Sequence, residues 1–234
     1  MILRRAIAGA AMLALVTTPA LARRPDRAPG VGTANPSALI AAEIAFARMA
    51  REKGQWTAFR ETAAEDAVMF VPQPVRAQTW LSGRKDPPAS VQWQPTQVWM
   101  SCDGTLGVTK GAWQQPDGSV GYFTTIWQKR WKKTDYRWVL DQGDSLAQPL
   151  PDSDMLSASV ADCPAGGGPR GDMQRPEPAK GAPGMTGEGR SDDGTLTWRY
   201  SVAADQSRSL VVSLMKNGTM TEVMRSDVAA PKAP

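Results

Sequence analysis

The chain has 234 residues, with 27 basic and 23 acidic side chains, two Cys, nine Trp and no His. The absence of His excludes Ser-His-Asp and Cys-His triads, His-ligated zinc and an imidazole general base. Two Cys alone do not make a usual zinc site, so the sequence predicts no bound metal, and nothing in it indicates a cofactor.

The first 22 residues are typical of an export signal. Arg4 and Arg5 precede an apolar run over 6–16, and the segment ends in the small-residue pattern that a signal peptidase recognises. The alternative is an N-terminal membrane anchor, but this run is shorter than the 20 or so apolar residues that a span needs. We therefore expect cleavage after Ala22 and a periplasmic or secreted protein without an integral membrane segment.

Export changes how the two cysteines are interpreted. In an oxidising compartment an even pair of cysteines usually forms a disulfide. The sequence therefore predicts a bridge between Cys102 and Cys163, and two unpaired buried thiols are the alternative. Without its first 22 residues the chain carries 25 basic and 23 acidic side chains, a balance that does not indicate nucleic-acid binding.

Composition divides the mature chain into segments. Residues 23–35 are a flexible lead-in, and residues 36–146 hold 14 of the 16 aromatic side chains. Residues 147–191 lack aromatic side chains and are one-third Pro and Gly, which is typical of a disordered linker. Order is expected to return over 192–228, before a tail at 229–234, and no internal repeat of useful length is evident.

The aromatic-rich segment begins with two predicted helices. Asn35 is a suitable N-cap before a proline, and apolar residues then recur at three- and four-residue steps until Gly54. A second helix is expected over 55–63, and it places Trp56 and Phe59 at helical spacing.

Strands follow the helices. A strand over 67–71 ends at two prolines, and a helical turn over 77–81 comes next. Strands and turns then alternate, with strands predicted over 96–101, 106–114, 120–131 and 136–146. This order predicts an α+β fold in which the helices pack on one side of a curved antiparallel sheet.

The C-terminal segment is predicted to form three strands. Asn217-Gly218 is typical of a two-residue hairpin turn, with strands over 208–215 and 219–225 on either side. A further strand is expected over 195–202. Three strands alone are marginally stable, so we expect them to dock on the larger sheet.

Several short stretches of residues 36–146 together resemble a known family. They include Glu43-Ile44-Ala45-Phe46-Ala47, Ser101-Cys102-Asp103-Gly104-Thr105-Leu106-Gly107, Gly111-Ala112-Trp113 and Trp138-Val139-Leu140-Asp141. In order and spacing they resemble the nuclear-transport-factor-2-like superfamily, of the type of domain-of-unknown-function family 4440 (DUF4440) and the SnoaL-like proteins. The resemblance implies a cone-shaped sheet around helices, an apolar pocket and a homodimer. The members include isomerases, dehydratases, ligand carriers and dimerisation modules, so such a fold does not determine the function.

Acid–base chemistry without His requires a carboxyl group or a Tyr, and the candidates are Asp66, Asp141 and Tyr122. Asp66 follows the second predicted helix, where a cap or turn partner for backbone amides is the simpler interpretation. Asp141 shares a predicted strand face with Val139 and lies opposite Trp138. If that face points inward, Asp141 is a partly buried acid with a raised pKa, and the opposite register leaves it solvated or salt-bridged.

The aromatic side chains indicate a packed core, because such residues carry much of the packing in a small domain. The same side chains can also form the wall of a cavity for an apolar or ring-containing ligand. The candidates for this pocket are Trp56, Phe59, Trp80, Trp93, Trp113, Tyr122 and Trp127.

These patterns favour an exported protein that binds a small apolar ligand or a protein partner in or around the pocket. The first alternative is a His-free lyase or isomerase that uses a pocket carboxyl group or Tyr. The second is a structural homodimerisation module. The expected partners are therefore a small apolar molecule and a second copy of the chain, and not nucleic acid.

Overall fold

The computed structural model describes residues 33–130, 133–151, 155–163 and 184–231. The predicted signal, nearly all of the lead-in, the centre of the Pro/Gly-rich linker and the end of the tail lie outside the described residues. Within those ranges the chain forms three helices and two sheets, which confirms the predicted α+β class.

The helices precede most of the strands, as predicted. α1 spans Pro36–Lys53, α2 spans Gln55–Thr62 and α3 spans Ala77–Leu81. The Asn35 side chain accepts a hydrogen bond from the amide of Ala38 at 3.2 Å, which caps α1 at the predicted position. Among the described residues, no helix is both long and apolar enough to cross a membrane.

The first sheet has seven strands in the order β2-β1-β6-β5-β4-β3-β7. They are β1 Ala63–Phe70, β2 Pro74–Arg76, β3 Gln92–Met100, β4 Leu106–Gln114, β5 Val120–Lys129, β6 Tyr136–Leu146 and β7 Ser157–Val160. The central strands pair antiparallel, as predicted. The sheet as a whole is mixed, because β1 pairs parallel with β6 and β7 pairs parallel with β3.

The second sheet has four antiparallel strands in the order β11-β10-β9-β8. They are β8 Thr186–Arg190, β9 Leu196–Val202, β10 Arg208–Lys216 and β11 Thr219–Val228. The predicted hairpin turn is confirmed, since Asn217 and Gly218 both have positive φ angles, of 49° and 77°. β7 and β8 both form within the segment that the composition predicts to be a linker.

Each face of the seven-stranded sheet is covered by a different layer. The helices cover one face, which we call the inner face, and Phe46 of α1 packs there with Trp93, Trp127 and Trp138. The four-stranded sheet covers the other, outer face. The apolar side chains buried between the sheets include Leu106, Val108, Ile126 and Leu140 from the first sheet and Leu196, Leu210, Val212 and Leu214 from the second. The C-terminal strands thus dock on the larger sheet, as a separate layer that faces it.

The predicted disulfide is present. Cys102 and Cys163 are 61 positions apart in the chain, and their Cα atoms are 5.2 Å apart. The bridge connects the turn after β3 to the segment after β7. It therefore fixes the last strand of the first sheet beside the turn that contacts the second sheet.

Candidate functional site

A row of polar side chains crosses the otherwise apolar inner face. Thr109 on β4, Thr125 on β5 and Asp141 on β6 occupy directly paired positions. The Thr125 hydroxyl donates to Asp141 Oδ2 at 2.8 Å, and the Thr109 hydroxyl donates to Glu43 Oε2 of α1 at 2.6 Å. The row thereby brings two carboxyl groups within electrostatic reach of each other in the helix–sheet core.

Asp141 reaches the inner face because β6 contains a β-bulge. Between the residues of β6 that pair with β5 at Trp138 and Leu140, Val139 is one extra residue. Trp138 packs with the helices, whereas Val139 and Leu140 both pack with the second sheet. The predicted alternation, in which Asp141 shares a face with Val139 and opposes Trp138, is therefore wrong at this point.

The environment of Asp141 favours its neutral form. Burial raises the pKa of Asp141 from its ordinary 3.8 to about 7, the hydrogen bond from Thr125 opposes that rise, and the nearby Glu43 carboxyl adds to it. The side chain is nevertheless only partly buried. Its Oδ1 atom makes no hydrogen bond within the described part of the chain. Asp141 is therefore an accessible carboxyl group that changes protonation state near neutral pH.

Glu43 is the second acid, and it is not among the site residues that the sequence predicts. The side chain is completely buried. Trp93 Nε1 donates to its Oε1 at 2.7 Å, and Trp127 Nε1 donates to its Oε2 at 2.9 Å. Burial raises the pKa of Glu43, while the hydrogen bonds from Thr109 and the two indoles lower it. Both oxygens have donors, so Glu43 is a fixed part of the core.

The sequence contained a signal for Glu43. It lies four residues after Leu39 and three residues before Phe46, on the apolar stripe of the first predicted helix. A charged residue on a buried stripe requires polar partners. The sequence does not show which strands supply those partners, because they lie 50 to 84 positions away.

Most of the predicted pocket residues belong to one cluster, which we call the aromatic group. Its members are Trp56, Phe59, Trp80, Trp93 and Trp127, together with Phe46. The rings meet edge to face, with centroids 4.8 to 5.9 Å apart. Trp93 and Trp127 are buried, while Trp56, Phe59 and Trp80 are partly exposed. The aromatic group therefore has one closed end beside Glu43 and one end that solvent reaches.

The remaining candidates lie in other places. Trp113 packs against the inner core, and its Nε1 donates to the backbone carbonyl of Tyr122 at 3.0 Å. The Tyr122 side chain is on the outer face, where its hydroxyl is 2.9 Å from Ser226 Oγ of β11. The sheet separates this hydroxyl from Asp141, because alternate residues of β5 point to opposite faces.

Asp66 does not join the row of polar side chains. It lies within β1, not in the turn before it, and its backbone carbonyl accepts a hydrogen bond from Arg76 at 2.7 Å. The structure thus places Asp141 near the unpredicted Glu43, gathers five of the seven pocket candidates around Phe46, and leaves Asp66 and Tyr122 outside.

A shallow depression of about 520 Å³ lies on the second sheet, away from these residues. Its lining includes Ser201, Ser207, Arg208 and Asp227. The Arg208 guanidinium is already engaged there, with the backbone carbonyl of Gly143 at 2.6 Å. We place the candidate site on the inner face because the accessible, perturbed carboxyl group lies there. The described residues contain no cluster of three or more Cys, Asp and Glu side chains that could hold a metal ion.

Comparison with known proteins leaves the family of this chain open. No family model matches it, and no curated protein does. Among solved structures it is similar to a protein of unknown function from the DUF3225 family of Pectobacterium atrosepticum, with 12% identity over 48% of this chain and 91% of that one and a TM-score of 0.39.

Two other solved structures show a similarity of the same extent. A proposed aromatic ring hydroxylase from Novosphingobium aromaticivorans is 13% identical over 49% of this chain and 91% of that one, with a TM-score of 0.36. A proposed Ca/calmodulin-dependent kinase II association domain from Exiguobacterium sibiricum is 15% identical over 51% and 98%, with a TM-score of 0.31. The function of this chain must therefore be argued from its own residues.

The variant Glu43→Gln should lower the free energy of unfolding by about 1–3 kcal/mol, because either orientation of the new amide places its NH₂ group against an indole N–H that cannot accept a hydrogen bond. Urea denaturation followed by Trp fluorescence measures the loss. Glu52→Gln is the matched control on the same helix, since the Glu52 side chain is 63% exposed and its ion pair with Arg48 is at the surface. Equal unfolding midpoints for the two variants would contradict the role assigned to Glu43.

The variant Asp141→Asn should become more stable relative to wild type as the pH rises from about 4 to about 7. In this window the folded protein holds a proton on Asp141 that the unfolded chain releases, since the folded-state pKa is the higher one. Ionisation of Asp141 thus lowers wild-type stability progressively up to about pH 7, and Asn avoids this cost. Urea denaturation at a series of pH values measures the difference, and a difference that is independent of pH would contradict the raised pKa.

Proposed function

We propose that this protein binds a small, largely apolar molecule on the inner face, with Asp141 as its polar contact. The observation that carries the proposal is the Asp141 carboxyl group, whose Oδ1 atom has no hydrogen-bond partner among the described residues, on a face that is otherwise largely aromatic and aliphatic. Ligand sites commonly combine apolar walls with a few fixed polar groups of this kind.

The wall of the proposed site is rigid. Glu43 accepts hydrogen bonds from Trp93 and Trp127 and therefore holds both indole rings in place. The ring centroid of Phe59 lies 4.8 Å from that of Phe46 and 5.9 Å from that of Trp138. Phe59 therefore links the partly exposed rings to the strand that carries Asp141. A ligand then meets preformed apolar surfaces and loses little free energy in ordering them.

Asp141 defines the polar group that the ligand should carry. Its Oδ2 atom already accepts the hydroxyl of Thr125, and its Oδ1 atom remains for one further hydrogen bond. The ionised carboxyl group accepts such a bond from a hydroxyl or an amine, and the neutral form can also donate one. The proposed ligand is therefore a ring-containing or aliphatic molecule with a single hydroxyl, amine or carbonyl group.

We also propose that the protein acts outside the cytoplasm. The disulfide between Cys102 and Cys163 supports this location, because such bonds persist in oxidising compartments. The first 22 residues support it independently, since their charged start, short apolar run and small-residue end fit a cleavable signal.

A second candidate function is acid–base catalysis by Asp141, as in a lyase or isomerase. The observation that favours it is the pair formed by Asp141 and Glu43, two carboxyl groups in one low-polarity environment, of which one titrates near pH 7. In such a reaction the ionised Asp141 would take a proton from the bound molecule. Turnover that Asp141→Asn abolishes and Asp66→Asn retains would support catalysis, and turnover that survives both changes would exclude it.

Native mass spectrometry of protein purified from the exported fraction tests the binding proposal. The wild-type protein should carry extra mass that is lost on denaturation. Asp141→Ala should retain about tenfold less of it, because one hydrogen bond to a carboxyl group is lost, and Asp66→Asn is the control that should retain it fully. Equal retention by Asp141→Ala, or no retained mass in any of the three proteins, would contradict the proposal.

A further inference from the structure

Two turns in different sheets have nearly the same sequence. Residues 101–106 read Ser-Cys-Asp-Gly-Thr-Leu and join β3 to β4, and residues 191–196 read Ser-Asp-Asp-Gly-Thr-Leu and join β8 to β9. Five of the six positions are identical. The expectation that the chain contains no internal repeat is therefore wrong. The sequence identity is limited to this short turn, since the flanking strands have different sequences.

The two turns also have the same internal geometry. In each turn the serine hydroxyl donates to the aspartate Oδ1 at 2.6 Å. The serine amide donates to the leucine carbonyl at 3.0 Å in the first turn and at 2.9 Å in the second. The glycine has a φ angle of 69° in one and 70° in the other, a region that favours glycine. The five residues that the turns share therefore form the same local structure in both places.

These turns bond to each other reciprocally. The amide of Asp103 donates to Asp193 Oδ2 at 2.9 Å, and the amide of Asp193 donates to Asp103 Oδ2 at 3.0 Å. The amide before each aspartate donates to the threonine hydroxyl of the other turn, from Cys102 to Thr195 at 2.9 Å and from Asp192 to Thr105 at 3.0 Å. Each bond has a counterpart with the roles exchanged, as in two units related by a two-fold axis.

The same equivalence continues along the strands. The bulge of β6 places Val139 between the paired residues Trp138 and Leu140, and a bulge of β11 places Val223 between the paired residues Glu222 and Met224. Val139 and Val223 both pack against the core between the sheets. The antiparallel strand order β3-β4-β5-β6 is likewise repeated as β8-β9-β10-β11.

A second reciprocal contact occurs at the other end of the sheets. Gln142 and Ser226 each follow the bulged valine by three positions, and Gln142 Nε2 donates to Ser226 Oγ at 3.0 Å. Tyr122 and Arg208 each lie four positions before the shift in register. The Tyr122 hydroxyl is 2.9 Å from Ser226 Oγ, and Arg208 Nε lies 3.5 Å from Gln142 Oε1. These contacts again exchange roles between equivalent residues.

We infer that residues 186–228 are a partial second copy of residues 92–146, and that this copy occupies the outer face in place of a second chain. The two copies pack face to face across a local two-fold axis, as two subunits of a symmetric dimer would. The apolar residues of the outer face are buried by the chain itself. A second chain cannot use this face, so the outer face is not the contact of the predicted homodimer.

The helices cover the inner face of the first copy but not the far face of the second, and the residues of that face differ accordingly. The inner-face residues Trp127, Trp138 and Asp141 of the first copy correspond to Ser213, Glu222 and Arg225 in the second. Glu222 and Arg225 are exposed and pair with each other at 2.7 Å. A sheet face without a covering layer must be compatible with water. The far face of the second copy therefore does not repeat the candidate site.

Hydrogen exchange of the full chain, measured by mass spectrometry, tests the reciprocal hydrogen bonds between the two turns. Thr195→Val should speed exchange at residues 102–103, and Thr105→Val should speed it at 192–193, each about fivefold, because each change removes one hydrogen bond across the axis. Thr221→Val is the control on an exposed site of β11 and should change neither. Faster exchange that is confined to the substituted turn in both variants would overturn the inference.

Discussion

The buried carboxyl group of Glu43 joins the helices to the sheet through bonds that apolar packing cannot supply. Trp93 on β3, Thr109 on β4 and Trp127 on β5 all donate to it. Within the described residues Trp93 Nε1 donates to Glu43 alone, so moving α1 along the sheet would leave this buried indole N–H unpaired. The position of the helix is thereby set, and with it the contacts of Phe46 that organise the aromatic group. The same bonds place the carboxyl group of Glu43 near Asp141.

Local sequence signals were sufficient to predict most of the helices and strands, but not the arrangement of the candidate site. Helix caps, apolar periodicity and turn residues predicted the first two helices, the central strands and the hairpin at Asn217-Gly218, and the even number of cysteines predicted the disulfide. The orientation of Asp141 could not be predicted, because the bulge at Val139 depends on how β5 and β6 pair. The partners of Glu43 come from strands distant in the sequence, so the residues near position 43 do not indicate them.

The Pro/Gly-rich segment misled the sequence interpretation for a related reason. Composition predicts disorder there, yet Gly187 and Gly189 lie in β8 under the rings of Tyr200 and Trp198. A Cβ atom at either glycine would overlap the ring above it, so these glycines permit a close contact. Their role becomes visible only once β8 is seen beside β9. The sequence itself shows the repeated turn before β9, but only the reciprocal hydrogen bonds show that the two turns are equivalent parts of two copies.

These features give the two sheets different roles. The first sheet packs on the helices that carry Glu43 and most of the aromatic group, and the second copy covers the outer face and stays polar on its far side. The central claim is that Asp141 and Glu43 share one low-polarity environment. NMR observation of the ¹³C-labelled Asp141 carboxyl group during a pH titration tests it most directly. The pKa of Asp141 should be about 7 in the wild-type protein and lower in Glu43→Gln, because the neighbouring acid also raises it. A pKa near the ordinary 3.8, or one that Glu43→Gln leaves unchanged, would contradict the claim.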